Sequence, residues 1–153
     1  MGRLEGKVAI ITGAARGQGA LESKLFAKEG AKVVICDVLD QEGKDVEAKV
    51  QASGGDAVFS HLDVTRDDDW QKAIDLAESR WGKLDILVNN AGIARGGSIE
   101  ETSEELWDEV LAVNTKGVFL GTRRAIPAMR RAGGGSIINV SSIAGILGRK
   151  LAP

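Results

Sequence analysis

Three features of the sequence carry groups that can do chemistry: a glycine-rich turn, an aspartate and a serine, each at a strand end. The turn is TGAARGQG at residues 12–19, between an apolar strand pattern and a helix pattern. Its glycines let the backbone approach a ligand closely, and the N-terminus of the following helix attracts a phosphate. In this strand–turn–helix setting the spacing is typical of dinucleotide binding. The residues of this predicted anion site are Gly13, Arg16, Gly17, Gln18 and Gly19.

Asp37 ends the second strand pattern, where the adenosine ribose of a dinucleotide is expected. Its carboxylate can accept hydrogen bonds from both ribose hydroxyls. The same charge opposes a 2′-phosphate by about 4 kcal/mol per unit charge, at ~4 Å and an effective dielectric constant of roughly 20. Arg16 favours the opposite outcome, because a guanidinium in the turn can bind that phosphate. The short carboxylate should outweigh the flexible arginine, so the sequence favours NAD over NADP.

Ser142 closes the last strand pattern, SIINVSS from residue 136. A hydroxyl at the carboxyl end of a central parallel strand lies at the crevice where open α/β sheets bind ligands. It can stabilise charge and position a substrate, but it is a poor proton donor at neutral pH. Ser141 is one residue away and faces the other side of the sheet, so we favour Ser142.

Five short segments rich in Val and Ile alternate with helix patterns and must position these groups. The segments begin at Lys7, Ala31, Ala57, Leu84 and Ser136. Each is nearly continuous in apolar residues, as in strands buried on both faces. Helix patterns cover residues 17–29, 40–52, 67–81 and 103–131, and in the first of them Leu21, Leu25 and Phe26 form an apolar stripe. The alternation predicts one α/β domain over residues 1–153, a Rossmann-like doubly wound parallel sheet in the order 3-2-1-4-5.

Taken together, the motifs resemble those of the short-chain dehydrogenases/reductases. The matching segments, in the family's order over essentially the whole chain, are TGAARGQG, HLDVT, LVNNAG, VNTKGVF and IINVSSIAG. The turn departs in one detail, since Gln18 stands where many members carry isoleucine. The resemblance implies that Asp63 and Val64 contact the adenine. It also implies that Asn90, Ala91 and Gly92 pass beside the cofactor ribose.

The resemblance further implies that Ser142 polarises the substrate carbonyl or hydroxyl and that Asn114 holds a water in a proton relay. The family also uses a tyrosine and, four residues later, a lysine, shortly after the serine. The sequence contains no tyrosine, and Lys150 precedes the expected lysine position. Loss of a general acid costs about 100- to 10,000-fold in rate. We therefore expect the chain ending at Pro153 to lack C-terminal elements and to be very weakly active or inactive.

Three functions stay open on this basis. The leading one is an NAD-dependent oxidoreductase that transfers a hydride between the cofactor and a small-molecule alcohol or ketone. The alternatives are a non-catalytic NAD-binding module, and one half of a split enzyme whose partner supplies the tyrosine and lysine. The long fourth helix pattern is a candidate surface for a homo-oligomer, as in many members of the family.

Composition and charge argue against several other functions and locations. The formal net charge of −2 gives no electrostatic reason to expect nucleic acid or an anionic membrane as a partner. No apolar leader or spanning segment is evident, so the cytoplasm is expected, and the lone Cys36 reads as a core residue. Without paired cysteines or histidines we expect no metal site. His61 is predicted to be structural, and Trp70, Trp81 and Trp107 are predicted to be packing anchors.

Overall fold

The chain forms one five-stranded parallel sheet in a computed structural model that describes residues 2–95 and 98–146. The strands are β1 (Val8–Thr12), β2 (Lys32–Asp37), β3 (Asp56–His61), β4 (Ile86–Asn89) and β5 (Ser136–Asn139). The helices are α1 (Gly17–Lys28), α2 (Asp40–Ala52), α3 (Asp67–Trp81), α4 (Glu104–Leu111) and α5 (Gly117–Arg131). The sheet order is β3-β2-β1-β4-β5. The predicted fold class and strand order are therefore confirmed.

Helices cover both faces of the sheet, which explains why the strands are apolar almost throughout. On β1, Ile10 joins one apolar cluster with residues of α3 and α5, whereas Ile11 joins a second cluster with residues of α1 and α2. Alternate side chains of a strand point to opposite faces, so β1 to β4 each contribute to both clusters, whereas β5 contributes only Ile137 to the first. Cys36 is fully buried in the first cluster, and burial raises the pKa of its thiol well above the usual range. It is the neutral core residue that the sequence predicted.

The first helix packs on the sheet through its small residues, not through its leucines. Leu21 and Leu25 are 66% and 47% exposed, whereas Gly19, Ala20 and Ser23 are buried. The predicted apolar stripe is therefore wrong for Leu21 and Leu25, whereas Phe26 is partly buried and packs against the second cluster. Small residues on the inner face let the start of α1 lie close against the ends of β1 and β4, and this close approach decides which face is buried.

The tryptophans divide between the core and the surface. Trp70 is fully buried, and its indole N–H donates to the Val64 carbonyl at 2.9 Å, so it is the anchor that was predicted. Trp81 is partly buried against the same cluster. Trp107, in contrast, is 53% exposed and the prediction that it anchors packing is wrong. It lies on α4, a helix with no buried residue, so the described residues offer it no core to enter.

The fourth helix pattern is interrupted near its middle. It begins as predicted after Ser103, whose hydroxyl accepts a hydrogen bond from the Leu106 N–H at 3.2 Å. Between α4 and α5, the segment Ala112–Lys116 forms a π-helical turn that contains Asn114. Such turns occur often at functional sites, because they alter the direction of side chains along a helix.

The last strand, β5, lies at the edge of the sheet and is largely exposed, as the strand order predicts, so the description of the strand before Ser142 as central is wrong for the described residues. It pairs with β4 in register over residues 136–139. A side-chain bond supports this pairing, since the Asn89 amide donates to the Asn139 side-chain oxygen at 2.9 Å. Among the described residues, no helix is long and apolar enough to cross a membrane.

Candidate active site

A cleft of about 350 Å³ opens at the carboxyl ends of the strands β1 to β4. Its predicted cofactor residues are Gly13, Arg16, Asp37, Asp63, Val64, Asn90, Ala91 and Gly92. Its remaining lining consists of apolar residues that sequence reasoning did not single out, namely Val38, Leu39, Leu62, Ile93 and Val113. Parallel strands end together at this edge of the sheet, so motifs far apart in sequence converge on one crevice.

The turn after β1 requires glycine at two positions for reasons visible in its contacts. Gly13 has φ of +63°, and a Cβ there would lie 2.8 Å from the Ala91 Cα. At Gly19 a Cβ would lie 2.4 Å from the Gly13 carbonyl oxygen. Gly17 has φ of +55° with open space around it. Gln18 does not line the cleft, and its amide donates to Glu22 at 2.8 Å along α1.

Thr12, the last residue of β1, joins two strand ends through its hydroxyl, a role that sequence reasoning missed. The hydroxyl oxygen accepts from the Asn90 N–H at 3.1 Å and the Ala91 N–H at 3.0 Å, and the hydroxyl donates to the Val88 carbonyl at 3.3 Å. The Asn90 side-chain amide adds a further bond between the same strand ends by donating to the Thr12 carbonyl at 2.8 Å. A hydroxyl residue directly before the glycine turn is the only signal of this in the sequence.

Asp37 holds the glycine turn as well as facing the cleft. Its carboxylate accepts from the Ala15 N–H at 2.9 Å and from the Leu39 N–H at 3.1 Å. The side chain is largely buried, and each carboxylate oxygen has a further lone pair for another donor. Asp37 can therefore accept ribose hydroxyls while it fixes the turn.

The Asp63–Val64 loop is fixed by an internal network. One Asp63 oxygen accepts from the Thr65 N–H at 2.9 Å and from the Thr65 hydroxyl at 2.7 Å. The Asp63 N–H donates to the Asp69 carboxylate at 3.3 Å. The hydrogen bond from the Lys72 ammonium lowers the pKa of Asp69 and keeps it an ionised acceptor. The loop is thus set before any ligand binds.

Asn114 clamps the loop that follows β4. Its side-chain oxygen accepts from the Ile93 N–H at 2.9 Å, and its amide donates to the Ile93 carbonyl at 2.8 Å. Because Ile93 lines the cleft, Asn114 shapes the cleft through this pair of bonds. Its proposed role in holding a relay water stays a prediction.

Ser142 lies past the end of β5, exposed, and does not line the cleft itself. It caps the 3₁₀ turn Ile143–Gly145, and its oxygen accepts from the Ala144 N–H at 3.2 Å. The role of Ser142 in polarising a substrate oxygen stays a prediction. Lys150, considered above for proton transfer, lies outside the described residues.

Comparison with known proteins bears on this geometry. The family model described as short chain dehydrogenase matches residues 7–153. A 2,5-dichloro-2,5-cyclohexadiene-1,4-diol dehydrogenase, LinX, of Sphingobium indicum is 50% identical over 94% of this chain and 58% of its own. A 3-alpha-(or 20-beta)-hydroxysteroid dehydrogenase of Mycobacterium tuberculosis is 49% identical over 96% of this chain and 55% of its own.

A third relative is a trans-4-hydroxycyclohexanecarboxylate dehydrogenase of Sinomonas cyclohexanicum, 47% identical over 97% of this chain and 59% of its own. The chain thus spans between 55% and 59% of the length of these relatives. The family match covers nearly all of the described residues, including the glycine turn and the cleft at the strand ends. The chain belongs to the short-chain dehydrogenase/reductase family.

Proposed function

We propose that the protein is an NAD-dependent oxidoreductase that interconverts a secondary alcohol on an alicyclic ring and the corresponding ketone. The observation that carries this proposal is the cleft, in which the glycine turn and the Asp37 carboxylate meet at the strand ends. The proposal concerns the whole protein, because the chain spans only part of the length of its relatives.

The cleft suits a dinucleotide at both its polar and its apolar positions. Gly13 lets the turn pack closely against Ala91, since a Cβ there would lie 2.8 Å from the Ala91 Cα, and the N-terminus of α1 then offers free N–H groups to a pyrophosphate. Asp37 accepts ribose hydroxyls, and the Asp63 loop beside Val64 offers an acceptor and an apolar surface to an adenine. The charge of Asp37 favours NAD over NADP, and it is set in place by two backbone donors.

Bound NAD would supply the hydride acceptor. The protein would bind the cofactor, orient the substrate and polarise its reacting oxygen. The Ser142 hydroxyl would donate to the substrate oxygen and stabilise the charge that develops there. Asn114 would keep the loop at Ile93 in place beside the cofactor. Proton transfer needs a further group, and the 153 residues contain no tyrosine.

The substrate class rests on the names of the relatives. Each of the three names describes an alcohol whose carbon skeleton contains an alicyclic ring: a cyclohexadiene diol, a hydroxysteroid and a hydroxycyclohexane carboxylate. Identity near 50% over nearly the whole of this chain makes the same broad class the best supported proposal for this protein.

The test measures oxidation of cyclohexanol and of a straight-chain secondary alcohol by the whole protein. The rate is recorded as the increase in NADH absorbance. We expect turnover with the ring alcohol and NAD⁺, higher than with the straight-chain alcohol. A Ser142→Ala variant should turn over about 100-fold more slowly, with cofactor affinity unchanged. Cofactor binding without turnover on any cyclic alcohol would instead favour a non-catalytic NAD-binding module.

A further inference from the structure

A histidine and an aspartate form a close pair at the rim of the cleft. The His61 Nδ1 lies 2.6 Å from the Asp40 Oδ1. A carboxylate only accepts hydrogen bonds, so Nδ1 carries the proton and donates. His61 ends β3 and Asp40 begins α2, so the pair joins two separate elements. Sequence reasoning treated the histidine as structural and did not identify this partner.

The pair lies directly behind two residues that line the cleft. Leu39 precedes Asp40, Leu62 follows His61, and both leucines belong to the cleft lining. His61 is also in register with Asp37 on the neighbouring strand, and the Leu62 N–H donates to the Asp37 carbonyl at 3.0 Å. The pair therefore links the two segments that carry Leu39 and Leu62. The adenosine half of a dinucleotide would lie between these segments.

Solvent exposure limits what the pair contributes to stability. The His61 and Asp40 side chains are 52% and 58% exposed, and exposed ion pairs contribute little to the free energy of unfolding. The pair closes a separate contact between the start of α2 and the end of β3, at the position where the lining residues Leu39 and Leu62 face the cleft. Holding a binding site in its bound shape raises affinity by lowering the cost of ordering it.

We infer that His61 and Asp40 are a positioning pair for the adenosine half of the cofactor, an inference that rests on the proposed NAD binding. Neither residue needs to touch the cofactor. Their hydrogen bond adds a side-chain link between the segments that carry Leu39 and Leu62, beside the backbone bond from Leu62 to Asp37. Loss of the bond should weaken binding of the adenosine half and leave the nicotinamide half unaffected.

The experiment measures, by calorimetric titration, the affinities of the whole protein and its variants for the cofactor and for each half of the cofactor. The ligands are NAD⁺, AMP and nicotinamide mononucleotide, and the variants are His61→Leu, His61→Asn and Asp40→Asn. Asparagine at position 61 keeps a donor near the Nδ1 position. We expect His61→Leu to lower the affinities for NAD⁺ and AMP about fivefold, with the melting temperature and the affinity for nicotinamide mononucleotide unchanged. His61→Asn should restore most of that affinity.

A matched control exists on the same helix. Asp45 accepts from the Gln41 side chain at 3.0 Å, exposed and away from the cleft lining, so Asp45→Ala should leave every affinity unchanged. Unaltered AMP affinity in His61→Leu would overturn this inference alone. So would a loss that follows the melting temperature and is not restored in His61→Asn. Failure of the unsubstituted whole protein to bind NAD⁺ would overturn the proposed function as well.

Discussion

Replacing Asp37 with serine is expected to change the ratio of NAD to NADP affinity by about 100-fold in favour of NADP. The Asp37 carboxylate at present occupies two backbone donors, the N–H groups of Ala15 and Leu39. Its removal takes away the charge that opposes a 2′-phosphate and leaves both donors free to bind one. Arg16, which also lines the cleft, adds a guanidinium at the same side. Competitive titration of the two cofactors measures the ratio.

Two comparisons separate this effect from a general loss of structure. The Asp45→Ala variant removes a carboxylate from α2 away from the cleft lining and should keep the original preference. Asp37→Asn removes the charge but keeps a side chain of the same size, so the preference should move in the same direction by less. An unchanged preference in Asp37→Ser would contradict the assignment of Asp37 as the ribose acceptor.

Replacing Gly19 with alanine is expected to destabilise the chain by about 3 kcal/mol and to abolish measurable cofactor binding. Alanine normally stabilises a helix interior relative to glycine by about 1 kcal/mol. Here its Cβ would lie 2.4 Å from the Gly13 carbonyl oxygen and 2.6 Å from the Asn90 Nδ2. One contact is in the glycine turn and the other is in the Asn90 side chain that bonds to it. Relief of the overlap must therefore move the residues of the cleft. Urea denaturation and NAD⁺ titration measure the two effects.

Gly17→Ala is the matched control for this prediction. No atom lies within 4 Å of a Cβ at Gly17, and its only cost is the positive φ of +55°, about 1 to 2 kcal/mol. This variant should remain folded, with a smaller decrease in stability than Gly19→Ala. If Gly19→Ala were as stable as the unsubstituted chain, the close approach between α1 and β1 would be wrong.

The features that the sequence predicts correctly are those set by local pattern. Five apolar segments with alternating helix patterns specify the parallel sheet, and a glycine turn between strand and helix specifies the tight junction between β1 and α1. The position of Asp37 in the cleft is predictable because the residue closes a strand at the edge where the strands end. Each of these depends on residues within a few positions of one another.

The features that escape the sequence depend on contacts between distant segments. The burial of Ala20 instead of Leu21 follows from how closely α1 approaches the sheet, which no helical period encodes. Thr12 becomes a hub only when the loop after β4 folds back on it. Trp107 is a large apolar side chain on a helix pattern, as a packing anchor would be, yet it is exposed among the described residues. His61 gains its partner from the start of another element.

The central claim is that the cleft at the strand ends binds NAD and discriminates against NADP. Calorimetric titration of the unsubstituted whole protein with NAD⁺ and then NADP⁺ tests it most directly. The account predicts saturable binding of NAD⁺ at one site, and binding of NADP⁺ at least about tenfold weaker. Tighter binding of NADP⁺, or no binding of either cofactor, would contradict it.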